Sequence, residues 1–437
     1  MKEQASDSNT ESVYASAGYK RSRSAYRAQC TFEYFISILV SDAYLAKLLT
    51  DIGISDTMIG IIESFASAAF LFQLSSLLLV QKLTNVKPVA ILCNSVSQVL
   101  LVSLYIIPFL PLSVTVKTVL VSICLLLAYA GQYAVSSIIY KWANSFVHPS
   151  QRATYSAGKE MISLISGMVF TLVAGQVIDR FEAENRLHAG FLFIAVAGLI
   201  LSVCNFVSLL LIEKESVSQK PASGVSLGTV FKNLFRNRNF ISVIIMTCLM
   251  NASRALTIGF MGTFKTKDLL LSVGTVQIIN IIANLCRFFV SKPLGRYSDR
   301  TSYARGIELA LCISAAGFAV NMFTTPKTWW CVVLYSILYN VSIAGTNQNS
   351  NNIVYSYVPA EYFVQATAIK NSIGGIVSFL VSLVGAKLLA FVQGNGNSLF
   401  GISLYGQQLL SALSLLMLFG TIAFVHFVIA PKNVMHQ

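Results

Sequence analysis

The chain has 437 residues, of which 55% are hydrophobic and only 11% are charged, and its mean hydropathy is +0.67. Because a soluble domain carries about a quarter charged residues, this composition excludes a soluble globular protein and indicates an integral membrane protein. The formal net charge of +13 does not indicate a nucleic-acid binder, since the basic residues fall mostly in short connections. We interpret the excess as an orientation signal and an attraction to anionic lipid.

Twelve apolar stretches are long enough to cross a bilayer, which takes about 20 residues per helix. They run approximately over 30–49, 57–80, 89–109, 118–146, 153–178, 190–212, 240–262, 273–294, 306–323, 329–357, 362–392 and 400–430. An even number of spans places both termini on one side. Lys and Arg are concentrated in the N-terminal segment and in alternate connections, so that side is predicted to be the cytoplasm.

The longest connection, 213–239, is polar and lies near the midpoint of the chain. It predicts two six-helix bundles, 29–212 and 240–430, with cytoplasmic tails at 1–28 and 431–437. Two such halves should resemble each other. A faint repeat supports this division, because residues 149–159 and 359–370 each begin with Pro and end with a Lys inside an apolar stretch.

The connection after the eighth stretch carries the most specific motif. The apolar helix is expected to end at Pro293 and Gly295, and a charged turn with Asp299 and Arg300 follows. The pattern Gly-x-x-x-Asp-Arg resembles the signature loop of the major facilitator superfamily, with Arg305 supplying the basic residue of the motif two positions late. We therefore assign Gly295, Asp299, Arg300 and Arg305 to a predicted gating loop.

This resemblance implies an all-α integral membrane fold of twelve helices in two pseudo-symmetric six-helix bundles. In that family spans one, four, seven and ten line a central cavity, whereas spans three, six, nine and twelve face lipid. It also implies transport by alternating access. Asp299 would then hold the inner end of the second half through bonds to Arg300, Arg305 or the start of span five.

Ionisable residues within the spans avoid the helices that the resemblance places against lipid. An intramembrane charge costs about 2.5 to 3.5 kcal/mol on insertion scales and marks a functional site by default. The candidate proton-coupling acids are Glu33, Asp42, Glu63 and Glu160. The candidate substrate-binding residues are Lys141, Lys159, Asn251, Arg254, Asn284, Arg287, Asn340, Asn347, Asn351 and Lys370.

These charges are distributed asymmetrically. All four deep acids belong to the first half, whereas the second half has Arg254, Arg287 and Lys370 without a deep acid. Buried basic side chains attract carboxylate or phosphate, and burial disfavours the charged form of a carboxylate. We therefore expect the first half to handle the coupling ion, a proton, and the second half to bind an anionic or zwitterionic solute. Two alternatives remain open: the charges pair across the halves as gates, or Lys141 and Glu160 form a structural ion pair.

The favoured function is proton-coupled uptake of a small polar solute by a monomer in the plasma or inner membrane. Its partners are the solute and the lipid bilayer, with no nucleic acid and no cofactor besides the coupling ion. Efflux by antiport is the alternative, although the fifth stretch lacks the Gly-Pro motif of the family's drug antiporters. A non-transporting receptor or membrane enzyme is a remote alternative, since there is no zinc spacing, phosphate loop or Gly-x-Ser-x-Gly motif.

Overall fold

The computed structural model describes residues 16–75, 87–147, 152–213, 227–359, 362–399 and 401–432. Fourteen helices of at least ten residues occur within these ranges. They are α1 (Ala17–Leu39), α2 (Asp42–Asp51), α3 (Asp56–Ala69), α4 (Lys87–Ser103), α5 (Val114–Asn144), α6 (Arg152–Ala183), α7 (Leu187–Leu210), α8 (Leu227–Arg236), α9 (Arg238–Ile258), α10 (Val273–Arg300), α11 (Tyr303–Asn321), α12 (Trp330–Tyr357), α13 (Phe363–Gly394) and α14 (Gly406–Phe424). One two-residue antiparallel pair, Ser398–Leu399 with Ile402–Ser403, precedes α14.

Ten of the described segments are long and apolar enough to cross a membrane. Two of the twelve predicted spans fall outside this set. Span one is divided between α1 and α2. Span ten corresponds to α12, a continuous helix of 28 residues whose many Asn and Gln side chains lower its hydropathy. Both predicted spans are helical in the structure. Span one is interrupted between α1 and α2, and span ten is too polar to count among the apolar segments.

Helix α1 begins at Ala17, within the segment predicted to be a tail, and Ser16 caps it by accepting the Tyr19 N–H at 3.4 Å. It ends at Leu39, and α2 begins at Asp42, whose φ is +46°. Few residues other than Gly adopt this left-handed conformation, and Asp is among those that tolerate it best. The candidate acid Asp42 therefore lies at a break between two helices. Residues 1–15 of the predicted tail lie outside the described ranges.

The backbone contacts divide the chain into two compact units. The first unit comprises Met1–Tyr44 and Ser75–Gly224, and the second comprises Leu45–Leu74 and Val225–Gln437. The change between units at 224–225 falls within the predicted linker 213–239. Residues 45–74, predicted as part of the first bundle, pack in the second unit. Of the linker itself, residues 214–226 lie outside the described ranges, and α8 occupies much of the remainder.

In the first unit, α1 packs against α6 and α7, and α4 packs against α5. Two buried tyrosines, one in α2 and one in the turn after α4, bond to helices of this unit through their hydroxyl groups. Tyr44 donates to the Thr171 carbonyl at 2.6 Å, and Tyr105 donates to the Leu39 carbonyl at 2.5 Å. Since water is absent from the bilayer core, a buried hydroxyl requires such a partner.

In the second unit, α3 packs closely against α13, and its Gly60 approaches Gly259, which follows the end of α9. A Cβ at Gly375 would overlap the backbone carbonyl oxygen of Ser67, and a Cβ at Gly259 would lie 3.0 Å from the carbonyl oxygen of Gly60. Small residues permit this approach of helix backbones in membranes. At the start of α3, Asp56 accepts hydrogen bonds from Lys267 at 2.9 and 3.2 Å and from Gln393 at 3.1 Å.

The predicted end of a helix at Pro293 and Gly295 is wrong, because α10 continues to Arg300. Proline removes one backbone hydrogen bond from the helix interior. Two buried residues beyond it compensate by packing against α12. Leu294 clusters with Val341 and Ala344, and Ser298 accepts a hydrogen bond from Asn349 at 2.8 Å. Packing against α12 thus overrides the tendency of Pro293 and Gly295 to end the helix.

We predict that Gly375→Ala lowers the free energy of unfolding by about 1 to 3 kcal/mol, because the added methyl group meets backbone that cannot rotate away. Thermal unfolding of the purified protein in detergent measures this change. Gly420→Ala in α14 is the matched control, since a Cβ there has no neighbour within 4 Å. Equal stability of the two variants would contradict close packing of α3 on α13.

Candidate functional site

A cavity of about 530 Å³ lies within the second unit. Its walls come from α3, α9, α12 and α13, which correspond to predicted spans two, seven, ten and eleven. Its polar members are Glu63, Ser64, Ser67, Thr247, Asn251, Arg254, Tyr339, Asn347, Ser350, Asn351, Lys370, Asn371, Ser378 and Ser382. A cavity with so many polar groups between apolar helices fits a hydrophilic ligand.

Arg254 is the most distinctive residue of this cavity, because it is only 7% exposed and retains an unpartnered nitrogen. Its Nη2 donates to Thr346 Oγ1 at 3.0 Å and to Ser342 Oγ at 3.5 Å, while its Nε has no hydrogen-bond partner. Within the described part of the chain, no carboxylate lies within ion-pair distance of the guanidinium. Neutral partners orient this cation without cancelling its charge.

Lys370 adds a second buried cation, 3% exposed. Its Nζ donates to the Ser350 carbonyl at 3.2 Å, to Ser350 Oγ at 3.1 Å and to Asn351 Oδ1 at 3.0 Å. These three bonds use every hydrogen of the ammonium group. Lys370 therefore contributes positive potential and joins α13 to α12, whereas the guanidinium of Arg254, which lines the cavity, has only Nη2 engaged in hydrogen bonds with described residues.

Glu63 of α3 is half-buried and is the one carboxylate among the described residues that line this cavity. With both bases and the acid ionised, the lining carries two positive charges and one negative charge. The amides of Asn251, Asn347 and Asn351 add donors and acceptors around them.

Six of the predicted site residues come together here. They are Glu63, Asn251, Arg254, Asn347, Asn351 and Lys370. The lining does not include Asn284, Arg287 or Asn340, and Asn340 instead donates to the Ser336 carbonyl of its own helix at 3.0 Å. Tyr339, Asn371, Thr247 and the serines of the lining were not predicted from the sequence. Asn371, adjacent to Lys370, was detectable as an intramembrane amide, whereas hydroxyl groups are too common in packed helices to be a signal.

A second cavity, of about 320 Å³, lies within the first unit between α1, α4 and α5. Glu33 lines it, and its carboxylate accepts three amide hydrogen bonds. Oε1 accepts from Gln132 Nε2 at 2.6 Å, and Oε2 accepts from Asn94 Nδ2 at 3.1 Å and from Gln29 Nε2. Glu33 was predicted from the sequence, whereas its three amide partners were not, because an amide is much less costly in a helix bundle than a charge and is a weaker signal.

The remaining candidate residues of the first unit are more dispersed. Lys159 lies 4.7 Å above the ring centre of Tyr26 and donates to its hydroxyl at 3.5 Å. The side chains of Lys141 and Glu160 lie outside the described part of the structure, so their proposed ion pair stays a prediction.

The predicted gating loop shows a different arrangement from the expected one. Asp299 is exposed, and no described side chain bonds to it; residues 148–151 and the side chain of Arg152 lie outside the described part. Arg305 instead donates to Glu308 at 2.8 Å, and its Nη1 lies 3.1 Å from His426 Nδ1, which joins α11 to the segment that follows α14. At this end of α10, the buried side chain of Asn349 donates a hydrogen bond to Ser298, and both side chains lie next to Gly306.

A family model described as Major Facilitator Superfamily matches residues 29–382. Three solved structures share the fold at low identity. The nucleoside transporter NupG has a TM-score of 0.70 at 14% identity, covering 94% of this chain and 99% of its own. A bacterial homologue of the iron transporter ferroportin has a TM-score of 0.68 at 11% identity, covering 94% and 98%. A D-xylose-proton symporter has a TM-score of 0.66 at 13% identity, covering 91% and 95%. Comparison with curated proteins finds no match.

We predict that Asn349→Ala lowers the free energy of unfolding by about 1 to 3 kcal/mol, because it removes a buried hydrogen bond between α10 and α12. Asp299→Asn should change it by less than about 0.5 kcal/mol, as expected for an exposed side chain. Thermal unfolding in one detergent compares the two variants. A larger loss for Asp299→Asn would restore the structural role that the family resemblance implies for this residue.

Proposed function

Because this chain belongs to the major facilitator superfamily and is a membrane transporter rather than an enzyme, we propose that it carries a small anionic or zwitterionic organic solute. The transport cycle is alternating access, and the solute enters the cell together with protons. The protein acts as a monomer in the cell membrane with both termini in the cytoplasm. The cavity of the second unit is the proposed solute site.

The observation that carries this proposal is the buried guanidinium of Arg254. Removing an ionised group from water is unfavourable unless it acquires a partner. A structural ion pair would supply a carboxylate, but the described residues place none beside Arg254. An anionic group of the solute meets this need, and the forked guanidinium can bind carboxylate or phosphate with two parallel hydrogen bonds.

The distribution of roles between the two bases supports the same conclusion. Lys370 has used its three hydrogens on Ser350 and Asn351, so it strengthens the positive potential without competing for the ligand. The amides and hydroxyl groups of the lining supply contacts for the uncharged part of a polar solute. Nucleosides and sugars are carried by the similar transporters, and such hydroxylated groups suit this part of the cavity.

Coupling to protons is proposed through Glu63, which shares the cavity with both bases. Protonation of Glu63 would change the charges of the lining from two positive and one negative to two positive alone. A cavity with the higher net positive charge binds an anion more tightly, because the electrostatic attraction in a low-dielectric site is strong. The two ligands then favour each other's binding, as thermodynamic linkage requires.

We predict that an anionic or zwitterionic metabolite stabilises the purified protein against heat, since a ligand at 100 times its dissociation constant adds about 2.7 kcal/mol. Cationic metabolites, nucleosides and pentoses are tested in the same way for comparison. Arg254→Ala should weaken binding roughly tenfold or more through loss of charge-assisted hydrogen bonds. Lys387→Ala is the control, because Lys387 is an exposed base on the same helix as Lys370. Stabilisation by bulky cations alone would overturn the proposal.

For Glu63→Gln, a permanently uncharged mimic of the protonated acid, we predict loss of uptake driven by a pH gradient and retention of solute exchange at equal pH. Proteoliposomes loaded with the identified solute measure both activities. The native protein should accumulate solute only when the outside is more acidic. Uptake by the native protein that is independent of pH would exclude proton coupling through this carboxylate.

A further inference from the structure

Helix α8 (Leu227–Arg236) lies in the second unit and divides its described side chains between two environments. Leu234 is only 3% exposed and belongs to the hydrophobic core of that unit, and Phe231 packs against the same core. Lys232 and Arg236, in contrast, are exposed. A helix with an apolar face and a basic face is typical of a segment that lies in the plane of a membrane surface.

The position of α8 along the chain sets its depth. Only Asn237 separates it from α9, which opens the segment Arg238–Asp268, long and apolar enough to cross a membrane. Asn237 accepts the Phe240 N–H at 3.2 Å, and its Nδ2 donates to the carbonyl of Tyr357, the last residue of α12, at 2.8 Å. The junction is thus fixed at the ends of two long helices. Chain connectivity therefore places α8 at the level of the lipid head groups.

Phe235 is an apolar side chain of α8 that the second unit leaves uncovered. It is 45% exposed, and its ring stacks on that of Phe231 with centroids 6.4 Å apart and planes inclined by 18°. It lies next to Arg236 in the chain and three residues after Lys232, so the exposed ring borders both bases. At a bilayer surface such a ring can enter the acyl region while the bases remain among the head groups.

The bases of this segment have no counter-charge within the described part of the chain. Helix α8 contains no Asp or Glu, and no hydrogen bond or ion pair joins the side chains of Lys232, Arg236 or Arg238 to a described residue. Lys232 and Arg236 are four residues apart on one helix, a spacing at which like charges repel each other. An anion bound from outside the protein would relieve this repulsion.

We propose that α8 is a docking surface for anionic phospholipid, with the head group bound by Lys232, Arg236 and Arg238 and the ring of Phe235 inserted among the acyl chains. A phospholipid fits both features of the surface, because it presents an anionic phosphodiester beside an apolar chain. A soluble phosphate would fit the bases but not the exposed ring. Basic side chains near a membrane surface each add to the attraction for anionic lipid. The proposal uses neither cavity and does not depend on the transported solute.

The test is a titration of the full-length protein, in an uncharged detergent, with phosphatidylglycerol or with phosphatidylcholine of the same acyl chains. The melting temperature is the readout. We expect a saturable rise with both lipids and a lower midpoint concentration for phosphatidylglycerol. Soluble glycerol phosphate at the same concentrations should have no effect. Equal midpoints for the two lipids, or an equal response to glycerol phosphate, would overturn the proposal.

Variants assign the selectivity for anionic lipid to α8. The double variant Lys232→Gln with Arg236→Gln should raise the midpoint for phosphatidylglycerol by at least about tenfold and leave that for phosphatidylcholine unchanged. Both side chains are exposed, so the variant should fold. The matched control, Lys327→Gln with Lys387→Gln, removes two exposed bases outside α8 and should leave both midpoints unchanged. An equal loss of selectivity in the control would assign the effect to net charge instead of α8.

A fluorescence measurement tests the insertion of the exposed ring. Phe235→Trp adds an indole at this position of α8 to the three Trp residues of the native chain. Phosphatidylglycerol brominated on its acyl chains should quench the emission of this variant more strongly than that of the native protein, and brominated phosphatidylcholine should show a smaller difference. Equal quenching of variant and native protein would show that position 235 does not reach the acyl chains, which contradicts the proposed docking.

Discussion

The constraint that shapes this protein is that the bilayer core cannot solvate an ionised group. Lys370 satisfies it with hydroxyl, carbonyl and amide oxygens, Arg254 does so in part with two hydroxyl groups, and Glu33 accepts from three amide N–H donors. Neutral partners of this kind fill hydrogen-bonding positions but leave the charge in place. A charged partner would hold the side chain in place equally well. The two opposite charges of such an ion pair would, however, leave little electrostatic potential in the cavity. The described lining of the second-unit cavity therefore keeps two basic side chains, Arg254 and Lys370, beside the acid Glu63.

The same constraint accounts for the polarity of α12. A helix with six amide side chains is a poor match for lipid, and its composition keeps it out of the set of apolar spans. Asn347 and Asn351 line the cavity, and Asn349 bonds Ser298 of α10. The amides thus serve two purposes on different faces of one helix. Polar residues are tolerated in this position because neighbouring helices, not lipid, receive them.

The sequence predicted the helical membrane fold and six of the residues that line the second-unit cavity, because intramembrane charges such as Arg254 are rare enough to be informative. It did not predict that Arg254 lines the cavity whereas Arg287 does not. Periodicity assigns a residue to a face of a helix, but not the tilt and depth that decide whether that residue reaches the cavity. It missed Asn94 and Gln132 because an amide is much less costly in a helix bundle than a charge. It placed a helix end at Pro293, where packing of Leu294 and Ser298 sustains the helix.

The seam between α3 and the rest of the second unit combines two interactions of different strength. Glycine positions bring neighbouring backbone close to α3 at Gly60 and at Ser67, and each close approach adds weak dispersion contacts. At its start, Asp56 is 5% exposed while its partner Lys267 is 51% exposed. The lysine can therefore return to water, but the carboxylate cannot do so while α3 stays packed, and an unpaired buried charge is strongly destabilising. The ion pair and the packing of α3 accordingly depend on each other, and neither can be lost alone without a large energetic cost.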